Sequence, residues 1–340
     1  MRSVPVEQAQ GMVLCHDITR IVPGECKGPA FRKGHIIAAE DIPTLLRLGK
    51  EHIYVWDLAE GLVHEDDAAA RLAAAIAGEG VTLTQPCEGR INLLSDRHGL
   101  LKINVDALRR CNAIEEVTIA TIHSDAVVSP GQMLAGTRVV PLVVAREKLE
   151  AVEAVTGETG AIVSVRPFRP LRIGVVTTGG EVYHGRIKDK FGPVLRRKFD
   201  ALGCSVIRQV IVPDDQEMTV RAIRQLLADG AEMIAVTGGM SVDPDDLSPS
   251  SIRAAGGEVV TYGSPTFPGA MFMLAYLGDI PVVGLPGCVM YHKASIFDLT
   301  VPRLVAGEKL TKADIVELGH GGLCAMCPEC RYPQCGFGKN

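Results

Sequence analysis

Val236-Thr-Gly-Gly-Met-Ser-Val-Asp-Pro-Asp-Asp246 sets bare backbone beside a run of carboxylates. The residues leading into it, Ala231-Glu-Met-Ile-Ala-Val236, form a short apolar run that reads as a buried strand. Gly238 and Gly239 carry no side chains, so a ligand can come close to the main-chain N–H groups. Ser241 offers a hydroxyl, and Asp243, Asp245 and Asp246 can hold Mg²⁺ or accept a proton. Strand, glycine turn, hydroxyl and acid is the way an α/β protein builds a phosphate site at the carboxyl end of a strand. Taken alone, an ordinary acidic turn accounts for the same string.

Two more segments repeat the pattern. Leu171-Arg-Ile-Gly-Val-Val176 is an apolar strand followed by Thr177-Thr-Gly-Gly-Glu181, and Pro281-Val-Val-Gly-Leu-Pro-Gly287 is a third strand ending in a Pro-Gly turn. An apolar, helix-like run from Val289 to Leu304 follows it. Three such turns in one α/β unit can converge on a single crevice above the sheet. Residues 171–305 resemble the molybdopterin-binding domain shared by molybdopterin adenylyltransferases, molybdopterin molybdotransferases and gephyrin. The matching pieces are Thr178-Gly179-Gly180-Glu181, Gly238-Gly239-Met240-Ser241 with Asp246, and Gly284-Leu285-Pro286-Gly287.

The resemblance implies that Thr178, Gly179, Gly180, Glu181, Thr237, Gly238, Gly239, Met240, Ser241, Pro286 and Gly287 face molybdopterin or its adenylate. It also implies Mg²⁺ on Asp246, with Asp243 beside it, as the catalytic pair for molybdate insertion with release of AMP. The chain departs from the molybdotransferase pattern at several points. Asp243 stands where a glycine is usual, and Cys288 where asparagine is usual. Asp189-Lys190-Phe191 replaces Asp-Ser-Asn, and Ser264-Pro-Thr-Phe-Pro-Gly269 has none of the lysines of the family's Pro-Gly-Lys-Pro loop. Each lost charge-assisted bond to an anion is worth roughly 1.5–3 kcal/mol. Lys188, Lys190 and Lys293 are candidates to compensate. The alternative is therefore a non-catalytic carrier or sensor that binds the cofactor without turnover. A nucleotide or nicotinamide hydrolase of the competence-damage type, which shares the domain, is a third reading.

Composition bounds the rest. The 340 residues suffice for two or three domains, and 47% hydrophobic with 22% charged residues describes an ordinary globular chain. A net charge of −5 without a basic tract argues against nucleic acid as the main partner. No apolar segment approaches the roughly 20 residues that span a bilayer, and the N-terminus has no apolar signal region, so no membrane and a cytoplasmic location are expected. The family resemblance further implies a homo-oligomer.

Along the chain, residues 1–60 read as a small α+β module. It comprises a strand Val13–Ile18, a turn and strand Phe31–Ile37, a helix Ile42–Leu48 capped by Asp41, and a strand Ile53–Trp56. Residues 61–165 read as a mixed β-rich region. It holds an alanine-rich helix from Asp66 to Ala77, a helix near Asp106–Arg110, and a helix Arg146–Val155 before a Gly157–Gly160 turn. Arg166-Pro-Phe-Arg-Pro170 is a stiff linker, because its prolines forbid helix. Residues 171–307 alternate strand and helix, which predicts a doubly wound, largely parallel sheet with right-handed crossovers. In the helix Gln216–Ala228, the apolar face is expected at Val220, Ile223, Leu226 and Leu227.

Residues 308–340 form a tail in which Cys324, Cys327, Cys330 and Cys335 follow C-x₂-C-x₂-C-x₄-C spacing. The other six cysteines are scattered, so reduced thiols with a metal site are expected rather than a disulfide framework. Two successive x₂ intervals resemble the iron–sulfur run of bacterial ferredoxins, whereas structural zinc more often uses two separated knuckles. An iron–sulfur cluster, zinc, or unligated thiols all remain open, with His320 as a possible substitute ligand.

Overall fold

From Arg172 to Tyr262 strands are separated by helices, three strands then follow one another to Leu285, and the alternation of side chains along the strands decides how they pack. The structure is a computed structural model that describes residues 2–22, 26–55 and 61–339. The chain divides into two compact units. One comprises Met1–Asp96, Ile103–Ile122 and Pro130–Val165, and the other Arg97–Lys102, His123–Ser129 and Arg166–Asn340.

In the second unit β1 (Arg172–Thr178), β2 (Ser205–Val212), β3 (Met233–Thr237), β4 (Glu258–Tyr262), β5 (Met273–Leu277) and β6 (Ile280–Leu285) form one sheet in the order β2-β1-β3-β6-β5-β4. β1 pairs in parallel with β2 and β3, and β3 in parallel with β6. The edge is antiparallel, with β5 between β6 and β4. The helices are α1 (Gly180–Tyr183), α2 (Phe191–Asp200), α3 (Gln216–Ala228), α4 (Ser248–Ala254), α5 (Cys288–Tyr291), α6 (Ile296–Val305) and α7 (Lys312–Glu317).

Ile173, Val175, Met233 and Ala235 face one core with Leu195 and Phe199 of α2 and Ile296, Phe297 and Val301 of α6. The alternate residues Val176, Ile234 and Val236 face a second core with Ala222, Ile223 and Leu226 of α3 and Ile252 of α4. Burial on both faces is why these strands read as continuous apolar runs. The doubly wound α/β sheet expected from the sequence is present.

Two details of this unit differ from expectation. The buried face of α3 is Thr219, Ala222, Ile223 and Leu226, with Val220 only half-buried. The apolar run 289–304 is two helices, because Ser295 and Asp298 form a capping box that starts α6 afresh.

The first unit is built of antiparallel ladders. Arg2–Pro5 pairs with His52–Val55, and Leu62–His64 with Val143–Ala145. A four-stranded sheet runs in the order Val81–Leu83, Arg90–Ser95, Met133–Val139, Val117–Thr121. The expected strand Val13–Ile18 is reduced to isolated bridges at Val13 and Leu14 before a strand Ile18–Val22; of the expected turn and strand Phe31–Ile37, Phe31 instead ends a strand Cys26–Phe31 and only Ile36 forms a bridge, to Val13. Asp41 does not bond the helix Ile42–Arg47. Its carboxylate instead accepts from Ala38 N at 2.8 Å and pairs with His35 at 2.6 Å, closing the turn before it. The helix from Arg146 runs through Gly157 to Thr159 and stops at Gly160, where φ is +82°. Trp56 lies outside the described residues. Among the described residues no helix is long and apolar enough to cross a membrane.

Candidate functional site

The glycine turns leave neighbouring strands. Thr177 is the register partner of Thr237, and Thr237 of Leu285, so the carboxyl ends of β1, β3 and β6 lie side by side. Neighbouring strands are about 4.8 Å apart. The chain passes from β1 outward to β2 and then back across to β3, so the gap between β1 and β3 is the topological switch point, where open α/β sheets bind ligands.

At the first turn Gly179 adopts φ +143° and donates to Val212 O at 3.1 Å. Gly180 N donates to the Asp214 carboxylate at 2.8 Å. Glu181 is exposed and folds back, so that a Cβ on Gly179 would lie 3.2 Å from both of its carboxylate oxygens.

At the second turn Gly238 and Gly239 take φ +83° and +53°. A Cβ on Gly238 would clash with the Thr178 carbonyl, so this glycine is required by turn-on-turn packing before any ligand is considered. Ser248 ties the turns together: its Oγ donates to Gly238 O at 2.8 Å and lies 3.3 Å from Thr178 Oγ1, and its N–H donates to Gly239 O at 3.1 Å.

Met240 is 4% exposed, and its sulfur packs on Gly284, where a Cβ would come within 2.7 Å of it. Its side chain is core, so it can offer a ligand only main chain. Ser241 is exposed, and its carbonyl and that of Met240 both accept from Tyr262 Oη, at 3.2 and 3.1 Å. Asp246 Oδ2 accepts from Asp243 N at 3.0 Å, closing an acidic turn that Asp246 N completes to Asp243 O at 2.9 Å. At the third turn Pro286 is buried and Gly287 exposed. Burial pushes the Cys288 thiol up, with bonds to the backbone at Cys288 and Val289 opposing, which keeps it a neutral thiol.

Below the turns, Thr177 and Thr237 point to the same face of the sheet. Gln209 Nε2 donates to Thr177 Oγ1 at 2.9 Å and to Asp189 at 2.7 Å, and Asp189 accepts from Phe191 N and Gly192 N at the start of α2. Asp189 thus serves as the helix cap. Thr237 Oγ1 is fully buried and, among the described residues, has no hydrogen-bond partner. An unmet buried hydroxyl costs about 1–3 kcal/mol, which a ligand group at the strand end would recover.

Sequence reading missed Ser248, Asp214, Gln209 and Tyr262. Their chemistry is ordinary, and only the tertiary fold brings them to the turns. Of the proposed compensating cations, Lys293 lies on a different cavity, next to the tail. That cavity, of about 500 Å³, is lined by Cys324, Cys327, Cys330 and Cys335 together with His292 and Lys293. His320 is not among its walls, so the histidine near the thiols is His292. Among the described residues no three of His, Cys, Asp and Glu stand where they could share one metal ion, in the tail or at Asp243–Asp246.

Residues 174–306 match a family described as "Probable molybdopterin binding domain", and residues 3–57 match a domain of unknown function. A CinA-like protein of Geobacter sp. (strain M21) is 37% identical over 90 residues, covering 26% of this chain and 22% of that protein. The molybdenum cofactor biosynthesis bifunctional protein of Chlorobaculum tepidum is 25% identical over 168 residues, covering 46% of this chain and 53% of that protein. The chain thus spans between about a fifth and about half of the length of these curated relatives. Among solved structures, the molybdopterin biosynthesis enzyme MoaB of Thermus thermophilus aligns at 17% identity and a TM-score of 0.32, over 41% of this chain and 98% of that one. Over residues 174–306 the chain matches the molybdopterin-binding domain family.

Proposed function

We propose that the switch-point crevice binds molybdopterin or its adenylate and that the protein handles molybdenum cofactor, inserting molybdate with release of AMP. The observation that supports this reading best is the meeting of three glycine turns on adjacent strand ends, with the unpartnered Thr237 hydroxyl among them. The main chain of 178–181 and 237–241 would face the ligand's anionic groups, and the Thr237 hydroxyl would donate to one of its acceptors. Asp214 holds the Gly180 N–H, so an anion at that turn must displace its carboxylate. The hard oxygens of Asp243 and Asp246 suit Mg²⁺, which takes one or two carboxylates alongside ligand phosphates. A magnesium ion there would polarise the phosphoanhydride of the adenylate. The tail thiols are read as a metal centre, iron–sulfur or zinc, and the chain as self-associating.

The second reading is a carrier that binds without turnover. The lysine-free segment 264–269 and the acid already on Gly180 N–H favour it. The similarity to CinA-like proteins supports a third, nucleotide-directed reading.

Adenylated molybdopterin, molybdate and Mg²⁺ incubated with the full chain separate the first two, and hydrolysis of a pyridine nucleotide unaffected by molybdate marks the third. AMP release supports insertion, retained pterin fluorescence without AMP supports the carrier, and absence of pterin binding removes both. Thr237→Val removes only the hydroxyl and should weaken pterin binding roughly tenfold, the equivalent of about 1.4 kcal/mol.

A further inference from the structure

We infer that the cavity under the cysteine tail is the site of a four-iron, four-sulfur cluster held by Cys324, Cys327, Cys330 and Cys335, and not of a single zinc ion. This deepens the metal-centre reading of the tail and stands whether or not the crevice binds pterin.

A zinc site draws its four donors to within about 2.3 Å of one point. Among the described residues no three donors converge in that way, yet all four cysteines line one cavity of about 500 Å³. Ligands on the walls of a chamber, and not at a point, suit an occupant several ångströms across, with one thiolate for each iron.

Packing independent of the cysteines shapes the chamber. Phe337 is 4% exposed and meets the Tyr332 ring edge-on at 6.2 Å, while Tyr332 Oη donates to Asp298 O at 3.2 Å. Phe267 N donates to Gly322 O at 2.8 Å, and Cys324 N to Phe267 O at 2.8 Å. Side chains at Gly321, Gly322 or Gly338 would strike Lys339 O, Leu318 O or Leu299. A zinc ion that merely ordered a tail would be the tail's chief support; this tail is docked by apolar and main-chain contacts, and its four free cysteines line the cavity, Cys327 and Cys330 exposed and Cys324 and Cys335 half-buried.

Charge agrees with the assignment. Four thiolates around such a core leave it anionic, and Lys293 and Arg331 stand on the cavity wall. Assembly balances as two ferric and two ferrous ions with four sulfides forming the core, while the four thiols release their protons to solvent as their sulfurs bind iron.

The test is anaerobic reconstitution of the full chain with ferric and ferrous iron plus sulfide, followed by iron and acid-labile sulfide analysis and Mössbauer spectroscopy. About four irons and four sulfides per chain are expected. Cys327→Ser and Cys330→Ser, both exposed positions, should lose most of this iron while keeping the far-UV spectrum and melting temperature of the parent. Cys87→Ser, at an exposed cysteine outside the tail, should keep the full complement. One zinc per chain that iron and sulfide cannot replace would overturn the assignment. So would tail variants that load iron as the parent does, or a Cys87→Ser protein that loses it.

Discussion

The glycine turns and the cysteine cavity belong to the same α/β unit, yet they hold their shapes for different reasons. The turns are main chain: Gly238 sits where only a missing side chain lets the Thr178 carbonyl approach, and Ser248 locks the two turns with three short contacts. The tail cavity is a chamber of side chains hung on a few anchors, with its reactive groups exposed or half-buried. A site made of backbone is tied to the fold itself. A site made of thiols can lose its chemistry while its walls stand.

The sharpest way to break this contrast is Gly238→Val. It forces a β-branched residue to φ +83° against the Thr178 carbonyl, and should cost on the order of 4 kcal/mol in denaturant unfolding and abolish pterin binding. A folded variant with normal affinity would mean that the turn is not held by packing.

Next is Arg303, which joins α6 to the root of the tail by bonds of 2.7 Å to both Glu308 and Asp314. Arg303→Ala should destabilise the unit by about 3 kcal/mol, because it removes charge-assisted bonds to two half-buried carboxylates, although Glu308 keeps Lys102 and Asp314 keeps Thr311. Burial alone would raise Asp314, but bonds from Thr311 and Arg303 outweigh it and hold the carboxyl down at about 2, against an ordinary 3.8. Its stabilisation is therefore complete above pH 3.8 and lost as pH falls through about 2. Acid titration of stability should flatten over that window in the variant.

Phe337→Ala tests the tail itself. Loss of a buried ring should cost about 2–3 kcal/mol locally and expose the tail to protease while the sheet melts almost as before. An equally resistant tail would sink the view that packing builds the cavity.

Tyr262→Phe removes one donor from the Met240–Ser241 loop and should cost about 1 kcal/mol, read as a small drop in melting temperature. Smallest of all, the double change Cys327→Ser with Cys330→Ser should move metal-free stability by less than about 0.5 kcal/mol, since both are exposed. A larger loss would show that the thiols support the fold as well as any metal.

Much of the sheet was legible because strands buried on both faces must be apolar throughout, and the turn that ends each one must be glycine where backbones meet. Ser205–Val212, a largely exposed edge strand, and the amphipathic helix Gln216–Ala228 were also readable to the residue, from β-branched composition and from apolar periodicity. The first unit was less legible. Its short antiparallel strands depend on distant partners, so Val13 and Leu14 make only bridges, and Asp41 serves a turn instead of the helix after it. In the site, the glycines and the acidic turn could be read from spacing. Asp214 on Gly180 could not, because the bond spans 34 residues and nothing local marks it.

The sequence by itself determined the strand–turn–helix alternation, the three glycine turns, the acids after the second turn, and four thiols within a dozen residues. Each of these is a matter of local spacing, which sets local backbone geometry. Only the tertiary structure decided the strand order that makes β1 and β3 a switch point, sent the Met240 side chain into the core, left Thr237 Oγ1 without a partner, and set His292 rather than His320 beside the thiols. Those outcomes rest on pairings between residues far apart in the chain. They follow from which surfaces bury one another, and local propensity does not encode that.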